Sequence, residues 1–255
     1  MDFGMPYSFS MASKDMLRSA AVEDYSKAIF ALQSRTEEPV STNALAERLG
    51  ITPGSVSGML KKLDELGLTS HVPYRGVRLT PEGRRLALEV IRHHRLLESF
   101  LADGLGMPWD RVHAEAEVLE HVLSEDLEQL IANKLGNPKV DPHGDPIPSV
   151  EFVLEEDETL SLNELPAGAS GRFVRVSDSD PEMLRYLAEQ GIALGDRLRV
   201  EDRQPFDGPV FVRFGEREHP IGGRLARAMR IEVERDRDEP TAERTHASGQ
   251  PYGGR

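Results

Sequence analysis

Apolar positions recur at helical spacing almost from the start of the chain. Val22, Tyr25, Ile29, Phe30 and Leu32 form one stripe, which predicts a first helix with a core-facing side, closed by the polar, Pro-containing stretch at 36–39. Leu45, Ala46 and Leu49 then fit a short helix that Ser41 or Thr42 can cap and Gly50 can end. Thr52 caps a second helix with Pro53 at its first position, and Val56, Met59, Leu60, Leu63 and Leu66 supply its buried stripe up to Gly67. Two short strands at 68–72 and 77–79 follow, as a hairpin with Arg75 at its tip. Two short helices followed by a hairpin predict a winged helix-turn-helix.

Thr80 and Pro81 start a long helix in which Leu86, Val90, His94, Leu97 and Leu101 recur at helical spacing, before a break at 104–108. One further helix is expected across 110–135. The stretch 136–149 carries Pro138, Pro142, Pro146 and Pro148 and reads as an interdomain linker. Beyond it the period changes. Segments 172–176, 197–201, 210–214 and 229–233 alternate as strands of a small barrel, interrupted by one helix near 181–190. No repeat suggests a solenoid.

Composition narrows the possibilities. With 255 residues, 38% hydrophobic and 29% charged, and no long apolar run, the chain reads as several small soluble domains without a membrane span. No secretory signal is evident at its start, so a cytoplasmic location is the default expectation. The absence of cysteine excludes disulfides, cysteine-ligated zinc fingers and thiol nucleophiles, so any metal must be held by nitrogen and oxygen. A net charge of −13 argues against a protein that coats nucleic acid nonspecifically, but charge acts locally. Residues 16–95 hold twelve Lys/Arg against nine Asp/Glu, whereas 96–148 hold three against eleven. A mildly basic segment thus precedes a strongly acidic one.

Each of these segments has candidate chemistry. Small and basic residues on the outer side of the second helix, Thr52, Gly54, Ser55, Ser57, Gly58, Lys61 and Lys62, would allow close approach to a DNA major groove, and Arg75 would reach phosphate from the wing. In the acidic segment His113, Glu117, Glu120 and His121 fall on one side of a helix at roughly 100° per residue, and His94 and Glu98 lie one turn apart on the preceding helix. Imidazole and carboxylate from two neighbouring helices suit a divalent metal. Nearby Glu115, His93 and Asp126 fall off that face and read as surface residues. A metallohydrolase could use the same ligand types, but there is no His-Glu-x-x-His helix and no Gly-rich phosphate cradle. A winged-helix regulator sensing a non-metal ligand is the other alternative.

The winged helix, the two histidine- and glutamate-bearing helical segments, the Gly-Asp-Pro-Ile-Pro148 stretch and the terminal barrel together resemble the diphtheria toxin repressor family of iron- and manganese-dependent repressors over residues 22–233. Residues 40–84, especially Tyr74-Arg-Gly-Val-Arg-Leu-Thr80, look like its manganese transport regulator branch. The resemblance implies a mainly α fold plus a small β domain: an N-terminal winged helix-turn-helix, a helical dimerisation domain and a C-terminal SH3-like β-barrel of FeoA type. The expected limits are a flexible arm at 1–15, the DNA-binding domain at 16–80, the metal-binding and dimerisation domain at 81–136, a Pro/Gly linker at 137–150, the barrel at 151–235 and a disordered tail at 236–255. Carried over by position, the primary metal site would be Asp24, Glu117, Glu120 and His121, and the ancillary site His94, Glu98 and His113.

The iron-sensing branch has methionine and cysteine where this chain has Asp24 and Glu117, and hard oxygen ligands suit Mn²⁺. The resemblance therefore implies a Mn(II)-responsive repressor of metal homeostasis genes, with Fe(II) as the alternative and other divalent ions acting in vitro. It further implies a chain that is not an enzyme, takes no small organic substrate, and works as a homodimer on a double-stranded DNA operator. Lys27 departs from manganese regulators that place a carboxylate there, so their binuclear arrangement is not expected. The iron branch also draws ancillary ligands from its barrel; this chain looks shortened there, which leaves Asp178 and Asp180 as weak candidates.

Overall fold

The computed structural model describes residues 19–36, 38–155, 158–206 and 208–234. The arm at 1–15 and the tail at 236–255 expected from the sequence lie outside them. Helix α1 (Ala20–Thr36) presents Val22, Tyr25 and Ile29 to a core shared with α2 (Thr42–Leu49), α3 (Pro53–Glu65), strand β1 (Thr69–Val72) and strand β2 (Gly76–Leu79). The local signals act as the sequence indicates. The Ser41 side chain accepts the Ala44 N–H, Gly50 closes α2 at φ 65°, and the Thr52 hydroxyl accepts the Ser55 N–H ahead of Pro53. The β1–β2 hairpin is the wing, and Val40 bridges to Val77 to fasten it to the chain entering α2. At Gly76 (φ 117°) a Cβ would lie 2.0 Å from the Val40 carbonyl oxygen, so only glycine permits this approach.

Helix α4 (Pro81–Ser99) begins at the Thr80 cap and runs on into a π-helical turn, Phe100–Gly104. Its N-terminal half packs Ala87, Leu88 and Ile91 against Phe30 of α1. Its C-terminal half buries Leu96 and Leu97 with Ala116, Ile131 and Ala132. The single helix expected at 110–135 is two: α5 (Val112–Leu119) and α6 (Glu125–Lys134). The break has a local cause. Ser124 caps α6 by accepting the Leu127 N–H, and Glu125, Asp126 and Glu128 fill the first turn, where negative charge complements the helix dipole.

The proline-rich stretch is tightly embedded. Asp141 and His143 are buried, Arg95 donates to the Pro146 carbonyl, and Arg92 donates to the Pro148 carbonyl. The C-terminal unit is a six-stranded antiparallel sheet in the order β3 (Leu160–Ser161), β8 (Met229–Val233), β4 (Ser170–Val176), β5 (Arg197–Arg203), β6 (Val210–Phe214), β7 (Arg217–Ile221). Helices α7 (Pro181–Gln190) and α8 (Gly223–Ala228) accompany it. The SH3-like architecture agrees with the sequence reading, but among the described residues no pairing closes β3 onto β7, so the barrel is open. Trp109, between α4 and α5, packs on the sheet's core, and Arg185 of α7 pairs with Asp110 at 3.1 Å, which fixes this unit against the helices.

Candidate metal centre and nucleic-acid interface

Three helices and two loops deliver the titratable side chains to one region. From α1 come Glu23, Asp24 and Lys27; from α4, His94 and Glu98; from α5 and the turn after it, His113, Glu117, Glu120 and His121. Because α5 ends at Leu119, His121 sits in the turn rather than on the helix face where the sequence places it. That displacement turns it towards α1. His121 Nε2 lies 3.1 Å from Asp24 Oδ1 and 3.7 Å from Glu120 Oε1, and the three residues can offer one ligand atom each within 4.8 Å of one another.

Two features make this trio suited to a cation. Asp24 Oδ1 is buried and has no hydrogen-bond partner, an arrangement that costs free energy unless something answers it. His121 Nδ1 lies 2.5 Å from Glu23 Oε2; a proton held on Nδ1 by that carboxylate would leave Nε2, which faces Asp24 and Glu120, free to take an ion. Burial pushes the Asp24 and Glu23 carboxyls above their usual pKa, with His121 opposing.

Glu117 stands apart from the trio. Its Oε1 is 2.7 Å from Lys27 Nζ and 3.8 Å from both His94 Nδ1 and His113 Nε2. Lys27 Nζ also lies 2.6 Å from Glu120 Oε1. Burial works against the lysine's charge, but the two carboxylates outweigh it and hold its pKa above the usual value. Glu120, fully buried at its side chain, gives its other oxygen to His94 Nδ1.

The second cluster gathers His94, Glu98 and His113 with Asp178 from the loop after β4. Glu98 Oε1 is 3.1 Å from His94 Nε2 and 3.3 Å from His113 Nδ1, and Asp178 Oδ2 is 3.0 Å from His113 Nδ1. Asp178 thus brings a carboxylate from the sheet unit into this cluster, while Asp180 caps α7 and pairs with Arg224. Asp178 and Glu98 push the His113 imidazole up to about 10. Burial opposes charge on His94, but hydrogen bonds to Glu120 and Glu98 push it up to about 9. Burial would raise Glu98, yet His113, His143 and His94 hold it well below the carboxylate range.

Three further residues were not singled out as functional by sequence reasoning. Glu23 lies beside Asp24 with no motif to mark it. His143 is fully buried, with Nε2 2.7 Å from the Trp109 carbonyl oxygen and Nδ1 3.8 Å from Glu98 Oε2; no periodicity in a proline-rich stretch could reveal it. His93, expected at the surface, is buried between Glu128 (3.1 Å) and the Glu120 carbonyl (3.3 Å), because α6 folds back over α4. Glu115 and Asp126 are exposed, as expected.

On the winged helix, Thr52, Gly54, Ser55, Ser57, Gly58 and Lys61 are exposed and Lys62 is half-buried on α3. A Cβ at Gly58 would meet nothing within 4 Å, and one at Gly54 only Thr52 Oγ1 at 3.9 Å. Packing within the chain therefore requires glycine at neither position, although a helix-interior glycine costs up to ~1 kcal/mol relative to alanine. Arg75 sits at the wing tip beside the fully exposed Tyr74 and pairs with Glu38.

Family models match three consecutive stretches: the iron dependent repressor N-terminal DNA binding domain at residues 17–77, the iron dependent repressor metal binding and dimerisation domain at 80–149, and the FeoA domain at 160–235. The iron-dependent repressor IdeR of Mycobacterium tuberculosis is 32% identical over 222 residues, covering 82% of this chain and 96% of the relative. The diphtheria toxin repressor of Corynebacterium diphtheriae is 28% identical over 220 residues, covering 82% and 96%. Among solved structures, a manganese-dependent transcriptional repressor in complex with manganese superposes with a TM-score of 0.78 at 42% identity, over 84% of this chain and all of that one. The apo form of the manganese-activated repressor ScaR superposes with a TM-score of 0.71 at 30% identity, over 82% and 99%.

Proposed function

The chain belongs to the iron-dependent repressor family, and from that footing we propose that it is a Mn²⁺-responsive transcriptional repressor that binds double-stranded operator DNA as a homodimer and controls metal homeostasis genes. The observation that carries this reading is the juxtaposition of Asp24, on the first helix of the DNA-binding unit, with Glu120 and His121 of the helical unit. A divalent ion held there would supply positive charge that ties the two units together. Protein groups do the rest: Glu23 orients His121, Glu117 adds a carboxylate at the rim, and His94, Glu98, His113 and Asp178 form the ancillary site against the sheet. The donors are nitrogen and oxygen throughout, which suits Mn²⁺; affinity order alone would favour later transition metals, so Fe²⁺ is the competing ion. The units fall at 16–80, 81–136 and 151–235, joined by 137–150.

The dimer surface follows from exposure. Val118, Val122, Leu127 and Leu130 stand out exposed from α5, α6 and the turn between them, an apolar patch that a second copy would cover. Twofold pairing would set two α3 helices on half-sites about one DNA turn apart. Thr52, Ser55 and Ser57, with Lys61, Lys62 and Arg75, then contact phosphate or base edges, while Gly54 and Gly58 let the backbone come close. Such a protein acts by binding rather than by turnover, in the cytoplasm; no helix among the described residues is long and apolar enough to cross a membrane.

The test is fluorescence anisotropy of a labelled promoter fragment, titrated with the full chain in Mn²⁺, in anaerobic Fe²⁺ and in excess chelator. Binding should require the ion, with Mn²⁺ at least as effective as Fe²⁺. Full-strength sequence-specific binding in chelator would favour a regulator that senses something other than metal.

A further inference from the structure

We propose that Lys27 is a tethered cation that an incoming divalent ion must displace from Glu117 and Glu120, so that this lysine sets the metal concentration at which the protein responds. The inference rests on reading Asp24, Glu120 and His121 as a metal site. Lys27 lies on α1 three residues after Asp24, so both side chains leave the same helix face. Its ammonium nitrogen is within 2.7 Å of one oxygen from each glutamate, and its side chain is only 19% exposed. The oxygen it holds on Glu120 is the one 3.7 Å from His121 Nε2, while the other is taken by His94. Neither oxygen of Glu120 is therefore free for an ion while these contacts persist.

Charge arithmetic points the same way. Asp24, Glu117 and Glu120 bring a formal −3, of which Lys27 cancels one. An ion entering the site competes with that ammonium for the same oxygens and is repelled by it at short range in a partly buried setting, where screening by salt is weak. In the metal-free protein the same contacts tie α1 to α5 across the seam that a metal would bridge. Lys27 thus stands in for the ion, with half its charge and a fixed tether.

The experiment is a Mn²⁺ titration by competition with a fluorescent chelator, on the full-length parent, Lys27→Met, Lys27→Arg and, as site controls, Glu120→Gln and His121→Ala. Circular dichroism melting in chelator is recorded alongside. Lys27→Met should bind its tightest ion at least tenfold more strongly than the parent, yet melt lower when metal-free, because the carboxylates lose their partner. Lys27→Arg should stay within about threefold of the parent. An affinity unchanged or weakened in folded Lys27→Met would overturn the proposal, and Lys27→Gln serves as the same test if the methionine variant does not fold. A parent that takes up no Mn²⁺, or whose uptake ignores Glu120→Gln and His121→Ala, would instead overturn the metal-site reading beneath it.

Discussion

His94 and Glu120 are hydrogen-bonded through Nδ1 and Oε2, and this contact joins the two candidate metal clusters through one buried carboxylate. Glu120 therefore touches both. Its Oε1 faces His121 and Lys27, its Oε2 faces His94, and His94 in turn touches Glu98 and His113. Occupancy at either cluster changes what Glu120 can offer the other, which is a physical route for coupling between them.

Glu120→Ala should accordingly do more than delete one ligand. It would leave Lys27 and a protonated His94 buried without their main partner, and breaking such a buried pair costs on the order of 3 kcal/mol. Urea unfolding in chelator is expected to register that loss, and metal titration should show both clusters weakened. A variant as stable as the parent would mean that these charges are already solvated.

The histidines set a pH dependence. In the metal-free protein His94 and His113 are raised from about 6.5 to about 9 and about 10. Their contribution to stability is thus complete below about pH 6.5 and is lost as pH rises through those values. Thermal melting of metal-free protein should fall between pH 6.5 and 10 on this account. Mn²⁺ binding must expel the same protons, so calorimetry in buffers of different ionisation enthalpy should detect proton release near pH 7 and tighter binding at higher pH. Zero net release would contradict the protonated imidazoles.

Glu23→Gln tests the orientation of His121. An amide can present its NH₂ group to Nδ1 and favour the other tautomer, so metal affinity is expected to fall by about 10–100-fold with little change in fold. Nitrogen-15 shifts of the His121 ring distinguish the tautomers directly. Unchanged affinity and an unchanged tautomer would remove Glu23 from the site.

At the DNA face, Gly58→Leu should separate folding from binding. A Cβ at this exposed position meets nothing within 4 Å and leucine is a good helix former, so the variant should be as stable as the parent or more stable by up to ~1 kcal/mol. Its affinity for DNA, measured by anisotropy, should nevertheless drop at least tenfold because the backbone can no longer come close. Parent-like binding would place Gly58 away from the groove.

Legibility in the sequence followed the range of the forces involved. The winged helix was readable because Ser41, Gly50, Thr52 and Pro53 act on their own neighbours. His94, Glu98 and His113 were readable as one group because the two helices carrying them pack side by side. The second start signal, Ser124 followed by Glu125 and Asp126, lies inside a continuous apolar period that reads as one helix and so puts His121 on its face. Asp178, His143 and Glu23 reach the centre through tertiary docking: a sheet seated on Trp109, a proline-rich strap held by Arg95, and α1 laid against α4. Nothing in their local sequence encodes that placement.

A manganese ion at Asp24, Glu120 and His121 should accompany DNA binding. Anomalous diffraction at the manganese edge, from crystals of the full chain bound to an operator duplex, tests it most directly. A peak should lie among Asp24 Oδ1, Glu120 and His121 Nε2, with a second between Glu98, His113 and Asp178. A DNA-bound protein with no manganese at the first position would contradict it.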